Sequence, residues 1–328
     1  MTVVVESPGS DQDSALVSFR PRPERNYLLR RLFHSVIAVV GALSIVFFMT
    51  AATGNPARLM LPDDATEEQV AGLAAVYGFD QPLLVRYVKF IGQTVTGHFP
   101  NSIRYGVPAI DLVLARIPAT LQLSGSALLL GTSLGLLLGY WLSSTNRVLL
   151  STAVLRLVVV LQAVPPFLLA LILILVFSLG LHLLPTSGAG TYAHLVLPVS
   201  VFAITVVPGV ARVFRATLLD HYTADHVSTA LAKGIPLGSV RVRHVAINSL
   251  GPVLSYIGLQ IGGLLGGAVV IETVFAYPGV GQLLVNSVNA KDFPVTLAAA
   301  TVIAVGYVVT SFVVDVLHQQ IDPRVRPE

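Results

Sequence analysis

Six long apolar stretches decide the architecture that this chain can adopt. A helix needs roughly 20 apolar residues to cross the hydrocarbon core of a bilayer. Six segments meet that length, at residues 28–50, 119–142, 151–180, 193–218, 250–275 and 295–319. Prolines and glycines interrupt several of them, but membrane helices tolerate both where neighbouring helices satisfy the freed backbone groups. The sequence therefore predicts an all-α integral membrane protein with about six transmembrane helices.

The scarcity of charged residues supports the same conclusion. Only 11% of the 328 residues are charged and 54% are hydrophobic, whereas a soluble domain carries roughly 25% charged residues. The net charge is +3 and the basic residues are scattered, which argues against a nucleic-acid partner. The absence of cysteine excludes disulfides, thiolate metal ligands and a cysteine nucleophile.

The basic residues predict how the chain is oriented in the membrane. With the N-terminus inside, 14 of the 20 Lys and Arg residues fall on the cytoplasmic side, as the positive-inside rule requires. Residues 1–25 are polar and lack the pattern of a signal peptide, so we expect a disordered cytoplasmic tail. An even number of spans then places both termini in the cytoplasm, with residues 26–328 forming the transmembrane domain.

Two long polar connections join the predicted spans. The first, residues 51–118, would lie outside and carry two or three short helices, because Thr66 and Gln69 fit a capping box. The second, residues 219–249, would lie in the cytoplasm and contain a helix over residues 220–234. Its helical part would end at Gly234, with Pro236 just beyond. Such a short exposed helix suits docking into a groove of a partner, or it lies on the membrane surface.

Several motifs resemble one family of transporters. Residues 229–234 read Thr-Ala-Leu-Ala-Lys-Gly and are similar to the Thr-Ala-Arg-Ala-Lys-Gly run of the dipeptide/oligopeptide/nickel permeases of ATP-binding-cassette (ABC) importers. Leu231 replaces the arginine of that run, and Ser228 stands where the broader family has glutamate. Further similar runs occur at residues 54–57, 77–87, 116–121, 164–167, 272–281 and 322–326. The resemblance covers residues 26–326 and is to the first permease of the pair.

This resemblance implies a fold, a set of partners and a mechanism. The fold would be that of a type I ABC importer permease in the bacterial cytoplasmic membrane, working by alternating access. The partners would be a second homologous permease, two cytoplasmic ATP-binding subunits and an extracytoplasmic substrate-binding protein. The ATPase-coupling residues would be Asp225, Ser228, Thr229, Ala230, Ala232, Lys233 and Gly234. ATP and magnesium would bind the partner subunits, since this chain has no Gly-x-x-x-x-Gly-Lys-Ser/Thr loop, and the chain itself would be no enzyme.

Polar and small residues inside the spans are candidates for the translocation pathway, because polar groups are costly in a bilayer. The candidates are Gln162, Gln260, Gly262, Gly263 and Glu272. Asp315 would lie near the inner interface. The spacing of Gly258, Gly262 and Gly266 indicates a smooth strip that either packs against a helix or lines the pathway. Each polar residue could instead form a structural hydrogen bond.

Peptides are the expected substrate, and other functions stay as alternatives. A nickel or metal-chelate importer of the same family remains open, although no His, Asp and Glu cluster in the spans has metal-ligand spacing. An ion-coupled secondary transporter would more often show internal repeats. A membrane hydrolase is disfavoured because neither a Gly-x-Ser-x-Gly nor a His-Glu-x-x-His pattern occurs.

Overall fold

A computed structural model describes residues 25–52, 54, 57, 58, 61, 64–145 and 147–321. Within that part of the chain the only pairing of extended backbone is an isolated bridge between Asn101 and Pro108. The predicted tail up to residue 24 and the C-terminal motif 322–326 lie outside the described residues. The described chain is therefore all-helical, as the sequence predicts.

Thirteen helices follow one another along the described residues. They are α1 (Arg25–Ala52), α2 (Glu67–Tyr77), α3 (Leu83–Thr96), α4 (Ala109–Leu114), α5 (Ile117–Ser144), α6 (Val148–Ala163), α7 (Pro166–Leu173), α8 (Ala193–Tyr222), α9 (Asp225–Ala232), α10 (Leu237–Ser239), α11 (Leu250–Val274), α12 (Val280–Asn289) and α13 (Phe293–Ile321). π-Helical turns extend α7 through Ile174–Gly180 and α10 through Val240–Ala246. Four helical stretches are long and apolar enough to cross a membrane, and two bent pairs bring the total to six. The expectation of about six spans is confirmed.

The third predicted span is not one continuous helix. Residues 148–163 and 166–180 form two helices that are bent by 103° relative to each other. The break falls at Val164 and Pro165, where two consecutive prolines remove backbone donors and force the preceding residue out of the helical region. The prolines inside α8, in contrast, leave that helix unbroken from Ala193 to Tyr222.

The most extensive helix contact joins α5 to α8 through a glycine face. A methyl group added at Gly131 would lie 2.7 Å from Val206 Cβ, and one added at Gly135 would lie 2.6 Å from Val210 Cβ. At Gly139 the added methyl would lie 2.8 Å from the Ala211 carbonyl oxygen. Because lipid supplies little hydrophobic drive between helices, such small residues let two backbones approach closely.

The order of these contacts shows that α5 and α8 run parallel. The partner position on α8 advances from 206 to 211 as the glycine position on α5 advances from 131 to 139. The start of α8 therefore lies roughly 35 Å, measured along the helix axis, from the end of α5. The intervening helices α6 and α7 must return the chain over that distance, so the bent pair is a broken span and not a loop that re-enters on one side.

Two hydrophobic cores hold the bundle together. The first core lies between α5, α7, α8, α9 and α11 and contains Leu123, Phe202, Leu218 and Ile271. The second core lies between α1, α3, α4, α12 and α13 and contains Phe47, Phe90, Val113, Leu283 and Ala298.

Among its described residues, the long connection before α5 carries the short helices α2, α3 and α4, and the sequence predicts two or three. The capping box at α2 is present. The backbone N–H of Gln69 donates to Thr66 Oγ1, and the backbone N–H of Thr66 donates to Gln69 Oε1. Helix α3 packs on α1, where Tyr87 and Ser44 share a hydrogen bond of 2.7 Å. The side of the membrane on which this connection lies stays a prediction.

Candidate functional site

Helix α9 is shorter than the sequence predicts. The predicted helix begins at residue 220, but residues 220–222 belong to the end of α8. The helical conformation is then interrupted before α9 begins at Asp225. The break occurs because Ala224 adopts an extended conformation, with ψ at 148°. Asp225 lies in the first turn of α9, where the helix dipole favours an acid. We call the end of the bundle that carries α9 the α9 end.

The predicted stop signal of this helix is present. Gly234 has a positive φ of 76°, a conformation that costs glycine little. Its N–H donates to the carbonyl of Leu231, and the N–H of Ile235 donates to the carbonyl of Ala230. These two bonds form a Schellman motif, which satisfies carbonyls that the end of the helix would otherwise leave unpaired.

Two apolar side chains anchor α9 to the protein. Val227 is 4% exposed and Ala230 is 5% exposed, and both belong to the first core. The other predicted coupling residues, Asp225, Ser228, Thr229, Ala232, Lys233 and Gly234, are exposed. The predicted coupling set is thus divided, with Ala230 facing its own chain and the remaining six facing outward.

Glu272 closes the opposite end of the bundle. Its carboxyl group is fully buried. Thr120 Oγ1 donates to Oε1 over 2.6 Å, and the backbone N–H groups of Gly281 and Gln282 donate to Oε2 over 2.7 and 3.1 Å. The N–H of Val280 donates in turn to Thr120 Oγ1. The three N–H groups are those that the start of α12 leaves without helical partners, so Glu272 caps α12 from outside that helix.

Small residues make room for this carboxylate. A methyl group added at Gly279 would overlap the carboxyl group of Glu272, and one added at Gly281 would overlap the backbone of Val269. Beside them the Tyr277 hydroxyl donates to Gln122 Oε1 over 3.0 Å. Burial and then the Glu272 charge raise the pKa of Tyr277.

A second buried carboxylate lies close by at the start of α13. Asp292 is 2% exposed and accepts hydrogen bonds from Ser102 Oγ and from the backbone N–H groups of Ile103 and Arg104. It also accepts from the N–H of Val295 in the first turn of α13. Asp292 therefore caps α13 and fastens the loop between α3 and α4 to it. We call this end of the bundle, with α12, Glu272 and Asp292, the α12 end.

The candidate pathway residues do not form one cluster. Gln162, at the end of α6, accepts a hydrogen bond of 2.7 Å from Arg212 Nη2. Gln260 is half-buried on α11, and no hydrogen bond joins it to Gln162 among the described residues. Gly263 is exposed and faces open space. Both carboxylate oxygens of Glu272 already accept hydrogen bonds at the α12 end. A role in the pathway stays a prediction for each of these residues.

The predicted glycine strip on α11 is not a single packing face. A methyl group added at Gly262 would lie 3.0 Å from the Tyr307 ring on α13, whereas one at Gly266 would meet no atom within 4 Å. Gly262 therefore has a packing partner within the chain and Gly266 has none. The glycines that form a packing face are those on α5, and their four-residue spacing was already visible in the sequence.

One functional residue was missed by sequence reasoning. Asp292 was not singled out, although an acid just before the Phe-Pro start of an apolar run is an N-cap signal. Arg212, one of the 14 basic residues counted on the cytoplasmic side, lies within α8, and its side of the membrane stays a prediction. The side chain of Asp315 lies outside the described residues.

The fold defines the class of protein. A helical bundle with about six membrane crossings is a polytopic membrane protein. Residues 131–327 match the family described as binding-protein-dependent transport system inner membrane component. Residues 25–124 match the N-terminal region of such membrane components. The chain belongs to this family.

Curated relatives resemble the chain over nearly its whole length. A dipeptide transport system permease protein of Lactococcus lactis is 34% identical, over 92% of this chain and 99% of that protein. An oligopeptide transport system permease protein of Bacillus subtilis is 33% identical, over 91% and 98%. A glutathione transport system permease protein of Escherichia coli is 33% identical, over 92% and 99%.

A solved structure supports the fold. A crystal structure described as an amino acid ABC transporter with histidines matches with a TM-score of 0.52 and 17% identity. The match covers 64% of this chain and 94% of that one. The expected permease fold is confirmed.

Proposed function

We propose that this chain is one permease subunit of an ABC importer for di- or oligopeptides. The relatives named for dipeptide, oligopeptide and glutathione transport support a peptide substrate. The complex would contain a second homologous permease, two ATP-binding subunits and a substrate-binding protein. The chain itself would carry out no chemistry, because ATP and magnesium would bind the partner subunits.

The observation that carries the proposal is the construction of α9. Buried Val227 and Ala230 fix one face of this helix to the bundle, and its other face, including Leu231 at 43% exposed, is open. A rigid element with one fixed and one free face can transmit the movement of a partner. We assign the open face to an ATP-binding subunit.

The orientation follows from the same assignment. If the ATP-binding subunits contact α9, the α9 end faces the cytoplasm, and the α12 end faces the substrate-binding protein. The excess of Lys and Arg on the α9 side of the spans supports this orientation. With six crossings, both termini would then lie in the cytoplasm.

The mechanism would be alternating access. ATP binding would draw the two ATP-binding subunits together, and α9 would pass that movement to α8 and α11 through the first core. The interface with the second permease would open toward the binding protein to receive the peptide, and hydrolysis would reset it. ATP and the peptide act in this cycle because each binds the inward-open and outward-open states with different affinity.

Copurification and transport test the proposal together. The tagged chain, expressed with its neighbouring subunits, is purified in mild detergent and reconstituted into proteoliposomes with binding protein and labelled peptide. Leu231→Glu places a charge on the open face of α9. We expect the amount of ATP-binding subunit that copurifies, and the rate of ATP-dependent uptake, each to fall by about tenfold or more. Loss of a central contact in an interface has an effect of this size. The matched control is Val76→Glu on α2, because Val76 is also exposed, at 78%.

Each other outcome points to a different function. Uptake of nickel or a nickel chelate in place of peptide would replace the proposed substrate but keep the importer class. Purification of the chain without ATP-binding subunits, with uptake driven by an ion gradient, would overturn the importer proposal. Equal loss of subunits in the Leu231→Glu and Val76→Glu variants would remove α9 as the docking element.

A further inference from the structure

Arg212 occupies an unusual place for a charged residue. It lies in the membrane-crossing helix α8, ten residues before that helix ends at Tyr222, which corresponds to roughly 15 Å along the axis. The stretch of α8 just before it is almost entirely buried, whereas Arg212 is exposed. An exposed cation on a membrane-crossing helix is costly unless it finds a partner or water, and it is by default a candidate for a functional contact.

The partners of Arg212 are neutral. Its Nη2 donates to Gln162 Oε1 over 2.7 Å, and its Nε donates to the Pro208 carbonyl over 3.3 Å. Among the described side chains, no carboxylate forms an ion pair with it. The two hydrogen bonds hold the guanidinium in position without neutralising its charge. They also leave further N–H groups available, since a guanidinium has more donors than these two bonds use.

The guanidinium lies where three membrane helices meet. Gln162 is the last but one residue of α6, immediately before the 103° bend. On α11, the Tyr256 hydroxyl fills the space beside Gly209, one turn before Arg212 on α8. An amide, a phenol and an unpaired cation are thus gathered between α6, α8 and α11.

We propose that Arg212, positioned by Gln162, binds the C-terminal carboxylate of the peptide as it crosses the membrane. This inference rests on the proposed function. A guanidinium binds a carboxylate through two parallel hydrogen bonds, and every unmodified linear peptide ends in that group whatever its side chains are. Recognition of the terminus alone lets one pathway serve peptides of many sequences.

The neutral partner is as important as the charge. An acidic residue at position 162 would pair with Arg212 and compete with the substrate, whereas the Gln162 amide only orients it. Transport also requires that a site binds well enough to admit the substrate but weakly enough to release it. A single exposed cation held by neutral acceptors meets both requirements.

The test compares a peptide that has a free C-terminus with the same peptide amidated at its C-terminus. Wild-type and variant complexes in proteoliposomes are supplied with saturating loaded binding protein, and initial uptake of each peptide is measured. We expect Arg212→Gln to slow uptake of the free-acid peptide about tenfold, the usual cost of a lost charged hydrogen bond. Uptake of the amide should change less than about twofold, because it makes no such contact.

Three further variants sharpen the test. Arg212→Lys keeps the charge but loses the planar guanidinium. This variant should therefore show part of the preference for the free-acid peptide that Arg212→Gln loses. Gln162→Ala releases the guanidinium and should reduce that preference by less than Arg212→Gln does. Arg156→Gln is the matched control, because Arg156 is also an exposed arginine and lies on the same helix as Gln162. It should leave the preference unchanged.

The result that overturns this inference is an equal effect on both peptides. If Arg212→Gln slowed uptake of both peptides equally, the guanidinium would function in helix packing or in binding a lipid phosphate. If it slowed uptake of neither peptide, the guanidinium would be dispensable for transport. Wild-type uptake that does not distinguish the two peptides would also contradict it. Absence of ATP-dependent uptake of either peptide by the wild type would instead overturn the proposed function, and this inference with it.

Discussion

Helix α11 lies between two short helices, α9 before it and α12 after it, with α10 between α9 and α11. The protein holds α9 and α12 in different ways. The start of α12 is capped by the buried carboxylate of Glu272, Asp292 caps α13 directly after it, and Val280 and Leu283 pack α12 into the second core. Helix α9 is fixed by the apolar side chains of Val227 and Ala230. No buried carboxylate contacts it within the described residues.

The difference matches what each end has to do. A buried carboxylate that accepts several hydrogen bonds allows few alternative arrangements, because any displacement leaves charged and polar groups unpaired. An apolar contact has no directional requirement, so a helix held in this way can shift slightly without losing its anchor. We infer that the α12 end is built as a rigid frame and that the α9 end is built to move with a partner.

Removing Glu272 should produce the largest loss of stability. Glu272→Ala leaves Thr120, Gly281 and Gln282 with unpaired buried groups and opens a cavity, so we expect a loss of about 3 kcal/mol. Glu272→Gln retains the shape and an acceptor oxygen and should lose less. The measurement is the midpoint of thermal unfolding of the purified protein in detergent.

The control for this prediction is Thr273→Ala. Thr273 is next in the chain and exposed, and its hydroxyl bonds only to the Val269 carbonyl of its own helix. A shift in the midpoint as large as that of Glu272→Ala would show that any polar residue at the end of α11 matters equally. The proposed rigid frame would then be wrong.

Removing Asp292 should have the next largest effect. Asp292→Ala deletes the cap of α13 and releases the loop between α3 and α4, at an expected cost of about 2 kcal/mol. Asp292→Asn keeps a capping oxygen and should restore most of the loss. Hydrogen exchange at residues 102–105 is the direct readout, and it should accelerate in the alanine variant more than in the asparagine variant. Unchanged exchange there would show that Asp292 does not fasten this loop.

Shortening the apolar anchor of α9 should have the smallest effect on global stability. Val227→Ala removes two methyl groups from the first core and should cost about 1.5 kcal/mol. Hydrogen exchange should accelerate in α9 and remain unchanged in α12. The same variant should weaken ATP-binding subunit retention less than Leu231→Glu does. A Val227→Ala variant that destabilises the whole bundle more than Glu272→Ala would reverse the comparison of the two ends.

Much of the site was predictable where the signal is local. The end of α9 at Gly234 and the capping box of Thr66 depend on residues that are neighbours in the chain, so a pattern of a few residues predicts them. The structural hydrogen bond considered as an alternative role for Glu272 was also within reach, because a carboxylate at the end of a span must be satisfied. Its partner Thr120, 152 residues away, was not.

The sequence by itself determined the number of spans, the helix end at Gly234, the capping box at Thr66 and the family. Each follows from the length of apolar runs, from local caps and from motifs read along the chain. Only the tertiary structure decided that α5 packs against α8 through Gly131, Gly135 and Gly139, and that Arg212 meets Gln162. Such pairs join distant parts of the chain, and one sequence shows which residues are able to pair but not which of them packing brings within reach.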